Sequence, residues 1–95
     1  MYLVSPELYR EASDRLLDAV GSKTYFSGSV AFPFVGTECR LTVSVIVYRE
    51  RIVLPEGVAE AITDLVPVWW EFHTWAESDE MVNDFSFSDL RCFVR

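Results

Sequence analysis

The amino-acid sequence predicts an α+β fold in which an antiparallel sheet of three to five strands follows an N-terminal helix and precedes a short C-terminal helix. Three observations predict it: apolar residues recur at helical spacing near the start, alternate with period two in the middle, and recur at helical spacing near the end. The chain has 95 residues, of which 51% are hydrophobic, enough for one core. We expect a single domain over residues 1–95 with the order α-β-β-β-(β)-α.

The first helix is predicted over residues 6–20. Ser5 suits the N-cap, Pro6 suits the first helical position, and Gly21 is a common helix stop. The apolar positions fall on one face of this helix: Leu8, Tyr9, Ala12, Leu16, Ala19 and Val20. This spacing is typical of an amphipathic helix that packs on a sheet.

Two strands of a β-hairpin follow, because apolar residues alternate with polar ones on both sides of Gly36-Thr37. We take Gly36-Thr37 as the two residues of a type II′ turn, which has glycine first. This turn opposes Phe34 to Cys39, and it places the apolar members of both strands on one face. The hairpin is the strongest local pattern in the chain.

The remaining sheet residues are less regular. Residues 52–54 predict a strand extension, residues 58–63 a helical turn, residues 65–75 a third strand, and residues 81–82 a short return strand. Strict alternation puts two sets of third-strand residues on opposite faces: Val66, Val68, Trp70 and Phe72 on one, and Trp69, Glu71, His73 and Trp75 on the other. The third strand pairs equally well with either hairpin strand.

The C-terminal helix is predicted from a capping-box spacing between Ser86 and Asp89. Leu90, Phe93 and Val94 then form an apolar stripe.

The charge of the chain restricts its partners. Eight Lys and Arg residues stand against 15 Asp and Glu residues, which gives a net charge of −7. Such a surface repels nucleic-acid phosphates and anionic membranes, so we expect neither as a direct partner. The N-terminal residues lack a secretory signal, no apolar stretch is long enough to span a bilayer, and we expect a cytoplasmic protein. Cys39 and Cys92 lack metal-site spacing and are expected to be buried free thiols.

Aromatic residues on the predicted non-core face of the sheet are the main candidate for function. Tyr25 and Tyr48 are expected to be cross-strand neighbours close to Ile46. The candidate interaction surface comprises Tyr25, Ile46, Tyr48, Trp69, Glu71, His73 and Trp75. Three alternatives are open: a helix or loop covers this face, a second copy of the chain covers it, or a different protein does.

Catalytic and metal sites have little support in the sequence. His73 is the only histidine, and Glu71 shares its face, so an acid–base pair in a small enzyme is one alternative. Nucleophilic catalysis would need a Ser or Cys beside this pair, and Cys39 belongs to the opposite face, while a catalytic metal site usually needs three protein ligands. We therefore expect no enzymatic activity, no cofactor and no metal.

Acidic residues provide a further alternative, an inhibitor that mimics nucleic acid and occupies a basic site on its partner. The candidates for such an acidic face are Glu56, Glu60, Asp64, Glu77, Asp79, Glu80, Asp84 and Asp89. They lack the ligand pattern of a calcium-binding loop. The leading interpretation is a non-enzymatic interaction or accessory module, with another protein or a second copy as its partner.

Overall fold

The chain folds into one antiparallel sheet with two helices on one of its faces. The computed structural model describes residues 1–94. In chain order the elements are α1 (Pro6–Val20), β1 (Tyr25–Phe34), β2 (Thr37–Leu54), β3 (Gly57–Ala76), β4 (Asp79–Met81) and α2 (Phe87–Arg91). The strands pair in the order β1-β2-β3-β4. The predicted architecture is confirmed, and the third strand pairs with the second.

Helix α1 has the bounds that its end signals predict. The Ser5 Oγ accepts a hydrogen bond from the Leu8 backbone N–H at 3.2 Å, and this satisfies one of the free donors of the first turn. Gly21 follows the last turn with φ of 55°, a conformation in which a side chain would be strained. The apolar stripe of α1 is buried against the sheet.

The core lies between the sheet and the two helices. Its members come from every element except β4 and include four residues that are completely buried: Leu8, Leu16, Leu41 and Leu90. Burial of such a side chain contributes about 1.5–3 kcal/mol. Because α1 contacts β1 and α2 contacts both α1 and β3, the two helices cover the same face.

Hydrogen bonds connect the N-terminal part of the chain to the segment around α2. The Tyr9 hydroxyl accepts from the Ser86 N–H at 3.0 Å and donates to Asp89 at 3.5 Å. Burial raises the pKa of Tyr9, so its hydroxyl stays protonated as a donor. The Val4 N–H donates to the Asp84 carboxylate at 2.7 Å. These contacts join residues 77 to 80 positions apart in sequence.

The turn between β1 and β2 is Val35-Gly36, so the predicted turn at Gly36-Thr37 was wrong. Both central residues have positive φ, 47° and 76°, as a type I′ turn requires. Phe34 therefore pairs with Thr37 and not with Cys39. The register differs from the predicted one by two residues. A shift of two leaves each side chain on its predicted face, so hydrophobic alternation cannot distinguish the two registers.

Residues 58–63 form part of β3, and the predicted helical turn was wrong. Residues 58–62 pair with residues 49–53 of β2, because the ladder continues on both sides of the tight turn at Pro55-Glu56, and Thr63 is an extra residue at a second irregularity. We call residues 49–54 together with residues 57–62 the ribbon. The ribbon lies beyond the first residue of β1, so it has only two strands, and it contributes to the 50 Å length of the molecule.

A β-bulge at Val68 changes the face of the residues that precede it. Pro67 pairs with Val45 and Trp69 pairs with Ser44, so Val68 is an extra residue with no partner. Pro67 has no N–H to donate, and β4 pairs with β3 only at residues 74–76, so β3 is an edge strand here. Pro67 is therefore tolerated beside the bulge, because an edge strand does not need its missing N–H for a ladder.

The bulge overturns the predicted face of Val66 and leaves Val68 without a partner, whereas Trp70 and Phe72 lie on the predicted core face. Trp70 and Phe72 lie on the helix-covered face, with Phe72 stacked on Phe85 at a ring distance of 4.2 Å. Val66 pairs with Ile46 on the opposite face. Strict alternation fails because the extra residue reverses the direction of the side chains from Pro67 back to Asp64, where a second irregularity at Thr63 follows.

The C-terminal region is close to its prediction. β4 covers Asp79–Met81, and the acidic turn before it consists of Glu77 and Ser78. The Ser86 side chain makes no capping hydrogen bond, so the predicted capping box does not form.

The two cysteines differ in exposure. Cys39 is buried, whereas Cys92 follows the last residue of α2 and is exposed, so the prediction of a buried Cys92 was wrong. Both are free thiols.

Candidate interaction surface

The face of the sheet opposite the helices, which we call the outer face, carries side chains in cross-strand rows. Pairing of the three long strands places one residue from each strand in a row. From the ribbon side inward the rows are Tyr25–Ile46–Val66, Ser27–Ser44–Trp69, Ser29–Thr42–Glu71 and Ala31–Arg40–His73. The outer face thus changes from apolar to charged along its length.

The apolar end of the outer face is exposed. We call Tyr25, Ile46, Tyr48, Val66 and Trp69 the outer patch. About half of each aromatic side chain is accessible: 51% for Tyr25, 51% for Tyr48 and 49% for Trp69. No helix or loop within residues 1–94 covers these rings, so of the three alternatives, cover by the chain itself does not apply to the described part. Tyr25 opposes Ile46, and Tyr48 lies one row further toward the ribbon, because the register differs from the predicted one.

Hydroxyl side chains occupy the middle of the outer face. Ser27 and Ser44 are hydrogen bonded at 2.9 Å, and Ser29 and Thr42 at 2.8 Å. Within each pair, one hydroxyl donates to the other across the strands. The two pairs lie between the apolar end and the charged end of the outer face. The candidate surface predicted as one patch therefore consists of two groups.

The second group surrounds His73. Its Nδ1 lies 3.0 Å from Glu80 Oε2, and its Nε2 lies 3.1 Å from Glu71 Oε2. The imidazole stacks on Trp75 at 5.7 Å between ring centroids, and the Arg40 guanidinium lies 5.1 Å from the Trp75 ring centroid. We call these five residues the histidine cluster. The predicted contact between Glu71 and His73 is present, and Glu80 joins it.

The electrostatics of the histidine cluster favour the imidazolium form. The hydrogen bond that the imidazole donates to Glu80, and then the one that it donates to Glu71, raise the pKa of His73 above its ordinary value. In that form both ring nitrogens donate to carboxylates, so neither nitrogen is a free base. The contact with Glu80 joins β4 to β3, whereas the contact with Glu71 lies within β3. This arrangement makes the Glu71–His73 pair less suited to proton abstraction.

The predicted acidic residues do not form one face. Glu56 and Glu60 lie in the ribbon and its turn, whereas Glu77 and Asp79 lie at the other end of β3. Four of the others hold partners within the chain. Asp64 binds Arg91, Glu80 binds His73, Asp84 accepts from the Val4 N–H, and Asp89 accepts from Tyr9.

One depression near the helices was examined as a possible binding site. A shallow depression beside α2 is lined by Asp64, Ser88, Arg91 and Cys92, where Arg91 forms an ion pair with Asp64. Among the described residues, no group of three or more His, Cys, Asp or Glu side chains is arranged to hold a metal ion.

Neither helix in the described part has the length and apolar content to cross a membrane.

The ribbon extends the outer patch with residues that sequence reasoning missed. Ile52 pairs with Ala59 and Glu50 with Ala61, and all four share the outer face with Tyr48. Ile52 is exposed. Period-two alternation through residues 57–62 is weak, because alanines stand in place of larger apolar residues. The apolar surface consequently continues past Tyr48 along the ribbon.

No protein-family model, no curated protein and no solved structure matches this chain. A function therefore has to be inferred from the surfaces of the chain itself.

Proposed function

We propose that the chain is a non-enzymatic interaction module that binds protein through the outer patch. The observation that carries the proposal is the exposure of Tyr25, Tyr48 and Trp69 on one sheet face while both helices lie on the other. Aromatic side chains of this kind are enriched at the centres of protein interfaces, because each buries a large area with little conformational freedom to lose.

The surroundings of the outer patch support a protein partner. The sheet supplies a hydrogen-bonded platform, and the Ser27–Ser44 hydroxyl pair beside Trp69 provides polar groups at the rim of the patch. The net charge of −7 disfavours a nucleic acid as the partner. The partner is either another protein or a second copy of this chain.

Site-specific photo-crosslinking in the producing cells tests the proposal. A photoreactive phenylalanine derivative replaces Tyr48 in one variant and Val82, which is 77% exposed and outside the outer patch, in the control. We expect a crosslinked product of higher mass from position 48 and none from position 82. Mass spectrometry of the product then distinguishes a second copy from another protein. Absence of any product at position 48, with both variants folded, would overturn the proposal.

A further inference from the structure

We infer that the free edge of β1 pairs with β1 of a second copy of this chain, antiparallel and about a two-fold axis at Gly28. The inference goes beyond the proposed function, because it concerns the backbone at one edge of the sheet and leaves the outer patch open. It comes from a difference between the two edges of the sheet. The edge at β3 is protected against further pairing, whereas the edge at β1 carries unpaired backbone groups and no charge.

Every second residue of β1 turns its backbone away from β2. Phe34 and Thr37 close a two-residue turn, so they form a hydrogen-bonded pair, and alternate residues of β1 then bond to β2. The Val47 N–H donates to the Thr24 carbonyl at 2.8 Å, in agreement with this order. The intervening residues have backbone groups without a partner within residues 1–94: Tyr25, Ser27, Ser29, Ala31 and Pro33. Such a row of donors and acceptors recognises an extended chain.

The edge at β3 has several features that prevent this kind of pairing. Pro67 has no N–H, and the bulge at Val68 interrupts the strand. The Leu65 N–H is already bonded to the Asp64 carboxylate at 2.8 Å, and β4 covers residues 74–76. In contrast, β1 pairs with β2 over ten residues without a register shift, and none of the ten is charged. The free edge of β1 is therefore the one suited to a further strand.

The backbone of β1 is complementary to itself when the two-fold axis passes through Gly28. Tyr25 then pairs with Ala31 of the second copy, and Ser27 pairs with Ser29 of the second copy. Each of these pairs exchanges two hydrogen bonds, so every N–H at the free edge of either copy meets a carbonyl. The large ring of Tyr25 also lies beside the small side chain of Ala31.

The side chains of the outer face accept this register. Ser27 is hydrogen bonded to Ser44, and Ser29 is hydrogen bonded to Thr42. Pairing of Ser27 with Ser29 of the second copy joins these hydroxyls into one row that crosses both sheets. The pairing ends before Pro33, which has no N–H to offer and whose ring would displace an opposing strand.

The charge distribution favours a second copy at this edge. Among the strands of the described part, β1 alone lacks charged residues, so the net charge of −7 puts no like charges opposite each other in the new ladder. Acidic side chains of β3 and β4 lie at the other edge of the sheet: Glu71, Asp79 and Glu80. A two-fold axis at β1 keeps these carboxylates of the two copies far apart.

The edge dimer leaves both outer patches available. Its axis is perpendicular to the sheet, so the two four-stranded sheets join into one, and their outer faces lie on the same side. Neither Tyr48 nor Trp69 takes part in the pairing of β1. A partner with two copies of its binding site would therefore meet two outer patches on one surface.

Amide hydrogen exchange followed by NMR, at low and high concentrations of the purified chain, tests the pairing. Phe26 and Val30 have N–H groups that bond to β2, so their exchange is expected to be slow at both concentrations. Ser27 and Ser29 are expected to exchange fast in the monomer and at least about tenfold more slowly in the dimer. This alternation along one strand distinguishes pairing of the edge from association through the outer face.

Two variants of Ala31 form a matched pair for sedimentation velocity across a concentration series. The Ala31 N–H points to the free edge, so Ala31→Pro keeps the ladder to β2, removes one donor and places a ring against Tyr25 of the second copy. We expect it to raise the dissociation constant of the dimer at least about tenfold. Ala31→Ser keeps the N–H and is expected to leave that constant within about twofold of the original value. Circular dichroism of each variant confirms that the sheet is intact.

The outcomes separate this inference from the proposed function. A wild-type chain that stays monomeric at every concentration overturns the inference. A dimer in which exchange at Ser27 and Ser29 does not slow overturns it as well, and so does a dimer that Ala31→Ser weakens as much as Ala31→Pro. Photo-crosslinking from position 48 decides the proposed function independently, because Tyr48 lies on β2 and outside this edge.

Discussion

His73 on β3 and Glu80 on β4 are joined by a 3.0 Å contact between the Nδ1 of the imidazole and a carboxylate oxygen. β4 has only three residues, so this contact and the Thr74 hydroxyl, which donates to the Met81 carbonyl, are important for holding β4 against β3. Glu71 engages the other ring nitrogen at 3.1 Å. The imidazole is therefore held between two carboxylates.

This contact predicts a pH-dependent stability. The folded-state pKa of His73 is raised above 6.5. The contribution of the charged imidazole to the free energy of unfolding is therefore fully present below about pH 6.5, and it is lost as the pH rises through the folded-state pKa. In His73→Gln, the free energy of unfolding measured with urea between pH 6 and pH 9 is expected to lack this decrease. His73 is the only histidine, so a single imidazole NMR signal reports its pKa directly.

The two carboxylates are expected to differ in their effects on that signal. Glu80 raises the pKa of His73 more than Glu71 does, so Glu80→Gln is expected to lower the titration midpoint further than Glu71→Gln. A wild-type midpoint at or below 6.5 would contradict the described geometry. The Arg40 guanidinium, in the same row on β2, lies over the Trp75 ring, and Arg40→Gln provides the control for the rest of the histidine cluster.

The turn at Val35 predicts a stabilising substitution. Val35 has φ of 47°, which is unfavourable for a β-branched side chain, and its side chain is 88% exposed. Val35→Asn is expected to stabilise the fold by about 1 kcal/mol, since Asn-Gly is the preferred pair for a type I′ turn. Thermal and urea unfolding measure the change. Val35→Thr keeps the branched carbon and is expected to give no such gain; equal stability of the two variants would contradict the turn assignment.

The buried stripe of α1 predicts a large loss on truncation. Leu16 is completely buried between α1 and the sheet, so Leu16→Ala leaves a cavity and is expected to cost about 2–5 kcal/mol of unfolding free energy. Leu3→Ala is the matched control, because Leu3 is exposed before the helix, and its cost is expected to stay within about 0.5 kcal/mol. Urea titration of both variants gives the comparison, and similar losses would show that α1 does not pack as described.

The cysteines predict different reactivities. Burial raises the pKa of Cys39 to about 11, so this thiol is almost wholly protonated at neutral pH and shielded from reagents. Cys92 is exposed. A colorimetric thiol reagent is expected to modify one cysteine per native chain and two after denaturation. Cys92→Ser should abolish the native reaction, whereas rapid modification of both thiols in the native protein would contradict the burial of Cys39.

The parts of the fold that the sequence predicted are those specified by local signals. Ser5, Pro6 and Gly21 mark the ends of α1 because capping chemistry acts over a few residues. Alternation assigned the faces of β1 and β2 correctly, although the turn was misplaced, because side-chain direction is unchanged by a shift of two residues.

The parts that were missed depend on long-range pairing. Residues 58–63 carry alanines and a glutamate that suit a helix, and only the ladder to β2 makes them a strand. The bulge at Val68 depends on the place where β3 becomes an edge strand, which local sequence does not reveal. For the same reason the candidate surface was predicted without Val66, Ile52 and Ala59. Its aromatic members, by contrast, were identified correctly as residues of the outer face.

The contacts of Tyr9 and Val4 with the segment around α2 have a consequence for synthesis of the chain. The core cannot close until residues 83–94 have left the ribosome, because Phe85, Phe87 and Leu90 complete it. Pairing of residues so distant in sequence is also slow compared with helix formation. A nascent chain arrested before Asn83 is therefore expected to remain protease-sensitive, and to acquire protection only when residues 83–94 have emerged.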